Sequence, residues 1–405
     1  MKWLTLLALM THCCVALSGK LRAVRHAEFA PPLTTPALVL LTETSENKKV
    51  ICYWNSWSFY RKGHGKSTPQ QLDIAPCTHM VYNTAIIDGS KVVVADPWND
   101  LAVNGGNGNL KQFANLVKKK EGLKVLAAVI QKHGFAFSTA AGFEDERKTF
   151  VKSALKFCKS HKLNGLVLSW NDPGAQDKEN FVQLLKEMKE AFDKADLSLG
   201  AQLSVIKAVM TDGYNLAEIS KYVDFMTATT FDYWGPWSGK TGPVAPLYGV
   251  SDDYKTPSVA ESVKTLLDLG ADSTKLVLGI TTLARSWTLE DPQDTDFGSS
   301  SRQPGKPGPY TQTPGALGYN EVCEFMRAKK WTVNYNTDLK ESYATDNKSW
   351  VSFEDAESVK EKAVFAKSKN LGGVAIMSLD TDDISGKCGE PYPLLRAASK
   401  EFMSQ

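Results

Sequence analysis

The run Asn164-Gly165-Leu166-Val167-Leu168-Ser169-Trp170-Asn171 sets polar side chains at the end of a wall of small apolar ones, and Asp172-Pro173-Gly174 then turns the chain. This is how a buried parallel strand delivers groups to a site at its C-terminal end. The delivered groups are a hydroxyl (Ser169) and an amide (Asn171). Neither donates or holds a proton in acid-base chemistry near neutral pH. The segment has the frame of a catalytic strand without its chemistry.

Other reactive residue types point to no alternative centre. His12, His26, His64, His79, His133 and His161 show no metal-ligand spacing, so no metal and no cofactor is expected. Asp380, Asp382 and Asp383 read as loop hydrogen-bonders rather than a cation site. Lys118-Lys119-Lys120 closes a helix where cations suit the dipole, and reads as a solvated end rather than a heparin-like site. A net charge of +2 gives no reason to expect nucleic acid or an acidic membrane as partner.

The elements that must position Ser169 and Asn171 follow from periodicity. Strand-like runs occur at Val50–Trp54, His79–Thr84, Val125–Ile130, Leu166–Trp170, Leu199–Val205, Phe225–Thr230, Leu276–Thr282 and Gly373–Leu379. Amphipathic helical stretches separate them, the clearest carrying Phe181, Leu184, Leu185, Met188 and Phe192. Eight strand-helix units in series predict an α/β fold, a (β/α)8 TIM barrel, over residues 49–405. No glycine-rich phosphate turn follows an early strand, as an open doubly wound sheet would usually require. About seventy residues between run seven and the helix near Glu354 exceed an ordinary loop, and predict a small α+β insertion over about 285–350.

The ends of the chain speak to compartment. Met1-Lys2, the apolar run Trp3 to Met10 and the small residues of Ala16-Leu17-Ser18 read as a secretory signal over residues 1–18, with a buried N-terminal helix as the competing reading. Residues 19–48 read as a loosely held arm. No later run reaches the ~18 apolar residues of a membrane span, so a secreted, extracellular protein without membrane insertion is expected. Cleavage leaves Cys52, Cys77, Cys158, Cys323 and Cys388, an odd number that permits at most two bridges; spacing alone does not pair them. Cys158 falls on an amphipathic helix and reads as a buried, inert thiol. Asn347-Lys348-Ser349 is a glycosylation sequon at Asn347.

Residues 50 to 403 resemble the family-18 glycoside hydrolases, the chitinases and chitinase-like proteins. The likeness is carried by Cys52-Tyr53 with Trp57 and Tyr60-Arg61, Leu72-Asp73 through Cys77-Thr78-His79, Val223-Asp224-Phe225 with Phe231-Asp232, and Lys275 to Ile280. Pro307 to Thr311, Tyr319 to Cys323, and Gly372-Gly373 with Asp380, Asp382 and Asp383 continue it. The resemblance implies bridges Cys52–Cys77 and Cys323–Cys388, each stabilising by roughly 3–4 kcal/mol. It also implies a strand-four signature Asp-Gly-x-Asp-x-Asp-x-Glu, whose Glu protonates the leaving oxygen while an Asp orients the substrate N-acetyl group. Here the four acidic positions are Asn164, Val167, Ser169 and Asn171.

Further departures accompany the loss. The family's Met-x-Tyr-Asp on strand six is Thr229-Thr230-Phe231-Asp232, its Gly-Gly-Trp after strand three is Ile130-Gln131-Lys132, and its strand-eight Trp is Met377. The expectation is therefore a catalytically inactive, secreted chitinase-like protein acting by binding as a growth, immune or tissue-remodelling effector. Leu394 to Ala398 and Trp350 to Asp355 look most like the insect imaginal disc growth factor type within the family. The alternative is a lectin for chitin oligosaccharide or another glycan, with Trp57, Trp98, Asp232, Trp234 and Trp237 as candidate binding residues; an effector would also need a cell-surface protein partner. Asp232 reads first as a structural group, and Trp234 and Trp237 read equally as packing groups.

Overall fold

Side-chain alternation sorts each apolar run between two faces, and here both faces are buried. In a computed structural model that describes residues 48–132, 134–249, 257–301, 303–328 and 331–404, the eight runs are parallel strands. They are β1 (Lys49–Asn55), β2 (His79–Asp88), β3 (Lys124–Gln131), β4 (Gly165–Ser169), β5 (Ser198–Leu203), β6 (Phe225–Ala228), β7 (Leu276–Thr281) and β8 (Gly373–Met377). Each pairs with the next, and β8 pairs with β1, closing a (β/α)8 barrel. The expected signal segment and the arm as far as residue 47 lie outside the described residues.

The inward set (Ile51, Tyr53, Val81, Leu126, Ala128, Val167, Phe225, Val277, Ala375) fills the barrel interior. The outward set, such as Val50, Trp54, Leu166 and Leu168, packs beneath the helices. Among these helices Lys178–Asp193 buries Phe181, Leu184, Leu185, Met188 and Phe192 along one face, at the expected spacing. Helix Glu144–His161 starts with Glu144, Asp145 and Glu146 and ends with Lys159 and His161, in keeping with its dipole. It buries Cys158, whose unpaired thiol burial pushes up to about 12.

Two glycines show how tightly the barrel closes. A side chain at Gly200 would strike the Phe225 ring at 2.5 Å, so the empty position on β5 makes room for the large one on β6. At Gly165 an added Cβ would lie 1.9 Å from the Ser198 carbonyl oxygen. Just before it, Asn164 Oδ1 accepts the Val125 N–H at 2.9 Å, joining β4 to β3 at the barrel's lower end.

The structure differs from the periodicity reading in detail. β6 ends at Ala228, beyond which the Thr229 hydroxyl joins its own N–H on the Leu203 carbonyl and the Thr230 hydroxyl donates to the Gly279 carbonyl. β2 runs on to Asp88 and folds back as an antiparallel strand at Lys91–Val94. After β7 comes an antiparallel sheet ordered Gln303–Pro304, Leu283–Thr288, Ser349–Phe353, Glu341–Thr345, Thr332–Asn336, with Ala316–Gly318 on the second strand and helix Tyr319–Arg327 beside it. Asn347 is exposed at the turn joining two of these strands.

Buried acidic side chains join this insertion to the barrel. Glu341 accepts the Val244 and Ala245 N–H groups of the loop after β6 at 2.6 and 3.0 Å. Glu354 pairs with Lys362 of helix Ala356–Ser368 at 2.9 Å, both fully buried. Burial pushes the Glu341 carboxyl up to about 8 and raises Glu354 as well. Disulfides join Cys52 to Cys77 and Cys323 to Cys388, the second tying the insertion's helix to the loop beyond β8.

Two outcomes follow for stability. Gly165→Ala should lower it by about 1–3 kcal/mol, read from a urea midpoint, because the overlap is with backbone and cannot relax by a rotamer change. His79, at the foot of β2 against Phe225, is pushed down to about 4 by burial and by Lys49 and Lys124. An unfolded histidine titrates near ~6.5, so this group's contribution is complete above that pH and is lost as pH falls toward about 4. His79→Asn should therefore flatten the fall of the melting temperature across that window; an unchanged slope would contradict the assignment.

Candidate active-site cleft

Strand period carries Val167, Ser169 and Asn171 to the same side of β4, and they end in three different surroundings. Val167 is sealed in the apolar interior with Leu126 and Phe225. Ser169, buried at the rim, donates to Gln202 Oε1 at 3.2 Å, and Gln202 Nε2 donates to Asn171 Oδ1 at 3.4 Å. The chain of contacts is neutral throughout. The carboxylate nearest in sequence, Asp172, accepts from Gln131 Nε2 at 2.9 Å and belongs to the adjoining loop. Trp170 points outward and is stacked on Phe137, with centroids 5.3 Å apart.

A cleft of ≈ 420 Å³ opens at the C-terminal ends of β1, β2, β7 and β8. Its wall includes Tyr53, Asn55, Asn83, Thr281 and Met377, with Trp57 and Arg61 from the loop after β1. Neither Ser169 nor Asn171 lines it. Tyr53 stays a neutral donor, its phenol raised by burial to about 12, and it reaches Thr227 Oγ1 at 3.4 Å.

Two ion pairs set the cleft's polar walls. Arg285, on the insertion strand Leu283–Thr288, donates from Nε and Nη2 to the two oxygens of Asp232, both at 2.7 Å. Asp232 holds a left-handed backbone (φ 61°), and the exposed ring of Trp237 lies 5.3 Å from the Arg285 guanidinium. Opposite, Arg61 reaches the fully buried Asp380 at 2.6 Å. Asp380 also takes the Asn55 backbone N–H, and Asn83 donates to Asn55 Oδ1, so one network links β1, β2 and the end of β8. Asp382 accepts the N–H groups of Asp383 and Leu395, and Asp383 that of Cys388, so both serve as loop anchors.

The residues singled out from sequence are thus divided. Trp57 (45% exposed) and Asp232 line the cleft, and Trp237 reaches it through Arg285. Trp234 instead packs against Trp287 and Trp350 of the insertion. Trp98 is 51% exposed and stacks on Tyr60 at 6.2 Å, outside the cleft lining. Met377 forms part of the wall, and Lys132 is exposed away from it. Sequence reasoning missed Arg285, since nothing local ties it to a carboxylate 53 positions earlier. Its one trace is a cation within a strand whose neighbours Ala284 and Trp287 are buried.

Chemically, the lining offers hydrogen-bonding groups, and its one carboxylate, Asp232, is already paired. The walls offer amides, hydroxyls, a phenol and two guanidinium groups already engaged by carboxylates. Both oxygens of Asp232 are occupied by Arg285.

The chain matches the model for glycosyl hydrolases family 18 over residues 49–382. It belongs to that family. It is similar to the Drosophila melanogaster protein "Probable chitinase 10", 32% identical over 400 residues, which is 94% of this chain but only 17% of the relative's length. Among solved structures, the second catalytic domain of Ostrinia furnacalis group II chitinase superposes with a TM-score of 0.84 at 31% identity, covering 89% of this chain and 97% of that one. Human YKL-39, described as a pseudo-chitinase with retained chitooligosaccharide binding properties, superposes with a TM-score of 0.80 at 30% identity, covering 88% of this chain and all of that one.

Removing the cross-wall cation tests the geometry. Arg285→Met should cost about 1–2 kcal/mol, read from a urea midpoint, because Asp232 loses both donors while keeping access to water. A neutral effect would mean that the pair is dispensable to the wall.

Proposed function

We propose that this chain is a secreted family-18 protein that has given up glycoside hydrolysis and acts by binding, as an extracellular growth, immune or tissue-remodelling effector. The observation that carries the reading is the end of β4, where Val167 is packed as core and Ser169, Gln202 and Asn171 form a neutral chain. A glycosidase needs a carboxylic acid there, and a general acid alone contributes about 10²–10⁴-fold to the rate.

The ligand class the cleft suits is a chitin oligosaccharide or a related N-acetylated glycan. Trp57 offers a partly exposed ring for a sugar face, and Asn55, Asn83, Thr313 and the Asp232–Arg285 pair offer directional partners. That YKL-39 is a pseudo-chitinase with retained binding supports the same division between turnover and recognition. A cell-surface protein partner is favoured by the exposed Tyr60–Trp98 stack outside the cleft. The segments Leu394 to Ala398 and Trp350 to Asp355 suit the imaginal disc growth factor type, and the exposed Asn347 would carry a glycan.

The test joins product analysis with calorimetry. Incubation with a chitin hexamer should release no shorter oligomer, while titration shows binding that Trp57→Ala weakens about tenfold, or ~1.4 kcal/mol. Turnover that disappears in Asp232→Ala would sink the non-hydrolytic reading. Absence of heat at millimolar sugar would move the function from the cleft to the Tyr60–Trp98 surface.

A further inference from the structure

A second concave surface lies on the barrel's flank, apart from the cleft. Two adjoining cavities of ≈ 500 and ≈ 320 Å³ share Leu101, Ser160 and His161 and together form a trough. One side is helix Asn109–Ala114 with its 3-10 continuation to Lys119, and the other is the second half of helix Glu144–His161. The strand Lys91–Val94 closes one end. Its floor is apolar, with Val92, Leu101, Ala114 and Phe157.

The rim carries Lys91, Lys111, Lys118, Lys156 and Lys162, all exposed. Among the described residues none of these five ammonium groups has an ion-pair or hydrogen-bond partner. Several lysines elsewhere on the helices are matched, Lys148 with Glu144, Lys189 with Asp193 and Asp224, Lys221 with Glu218, Lys264 with Asp268, while others such as Lys186 and Lys400 stand singly; what marks the trough is that five single cations share one recess. The one carboxylate in the lining, Asp100, is buried and accepts the Tyr82 hydroxyl and the Asp96 N–H. Five unmatched cations around one trough, in a chain of net charge +2, concentrate positive potential where no internal counter-ion answers it.

We infer that this trough is a binding site for a linear sulphated polysaccharide, its sulphates met by the lysine rim and its sugar faces lying over the apolar floor. Charge complementarity carries the choice of an anion, and the surroundings narrow its class. All five cations are ammonium groups, point charges that meet scattered anionic groups without the planar two-point geometry of a guanidinium. No exposed aromatic ring lines the trough, as single-stranded nucleic acid would want for stacking. A peptide adding to the edge strand is obstructed, because the Val92 N–H already donates to Ser153 Oγ of the neighbouring helix at 2.9 Å. A recess is also poorly shaped to lie on a flat lipid surface. Lys118, legible in the sequence only as part of a helix-end charge run, gains its meaning from Lys156 and Lys162 across the gap.

The inference is independent of the sugar cleft and is tested apart from it. Binding of a fluorescent heparin octasaccharide and of its desulphated counterpart would be measured by anisotropy at about 0.15 M salt, with the full-length protein. The triple variant K111S/K118S/K156S should bind the sulphated probe at least about tenfold more weakly, while K194S/K240S/K306S, with the same charge loss elsewhere, keeps wild-type affinity. Thermal melts check that both variants fold; should the triple variant not fold, Lys118→Ser and Lys156→Ser singly should each show a smaller loss. No binding by the wild type, equal losses in the two triple variants, or equal binding of the desulphated probe would each overturn the proposal. Tighter binding to phosphatidylserine vesicles or to polyglutamate than to the octasaccharide would overturn it too.

Discussion

A closed parallel barrel must fill its own interior with side chains that arrive at every second residue, and that constraint governs the rest of this molecule. Phe225 occupies space that Gly200 vacates, and Val167 packs between β3 and β6 neighbours. Once Val167 points inward, Ser169 and Asn171 follow along the same side. The strand that delivers groups to the mouth is thereby retained by packing, whatever those groups are. Gly165 shows the same persistence: its lack of a side chain is demanded by the Ser198 carbonyl, not by any reaction.

The groups at the barrel's mouth are accordingly set at the rim rather than by the packed interior. Over β4 and β5 the mouth is a neutral hydroxyl–amide chain, and the open volume lies over β1, β2, β7 and β8, bounded by Asp232–Arg285 on one side and Arg61–Asp380 on the other. The cleft wall carries hydrogen-bonding groups, and the mouth-facing side of β4 presents a hydroxyl and an amide.

All eight barrel strands were legible in the sequence because both of their faces are buried and they read as unbroken apolar runs. The insertion was legible only as an interval too long for a loop. Its strands mix buried Trp287 and Trp350 with polar positions, and its pairings join residues as distant as Arg285 and Ser352. The β2 hairpin had a local trace, Asp88-Gly89 between Ile86-Ile87 and Val92 to Val94, which the reading of strand-helix units passed over. For the cleft, types of residue were readable and partnerships were not. Asp232 stood out as a carboxylate after a strand, yet its role depends on Arg285, which only the fold brings to it. Trp234 and Trp237, three apart, end in an inter-strand cluster and over a guanidinium respectively, a division that local pattern does not encode.

The buried contacts of Glu341, Glu354 and Lys362 bear on how the cleft meets a ligand. Arg285 belongs to the insertion and Asp232 to the barrel, so the width between walls depends on how firmly those parts are joined. Carboxyl groups that are fully buried and held by the N–H groups of Val244 and Ala245 or by Lys362 resist separation, because any tilt would leave buried polar groups without partners away from water. The Cys323–Cys388 bond adds a covalent stay on the insertion's other side. The recess is thereby preorganised, its two walls held at a fixed spacing by contacts that do not involve a ligand.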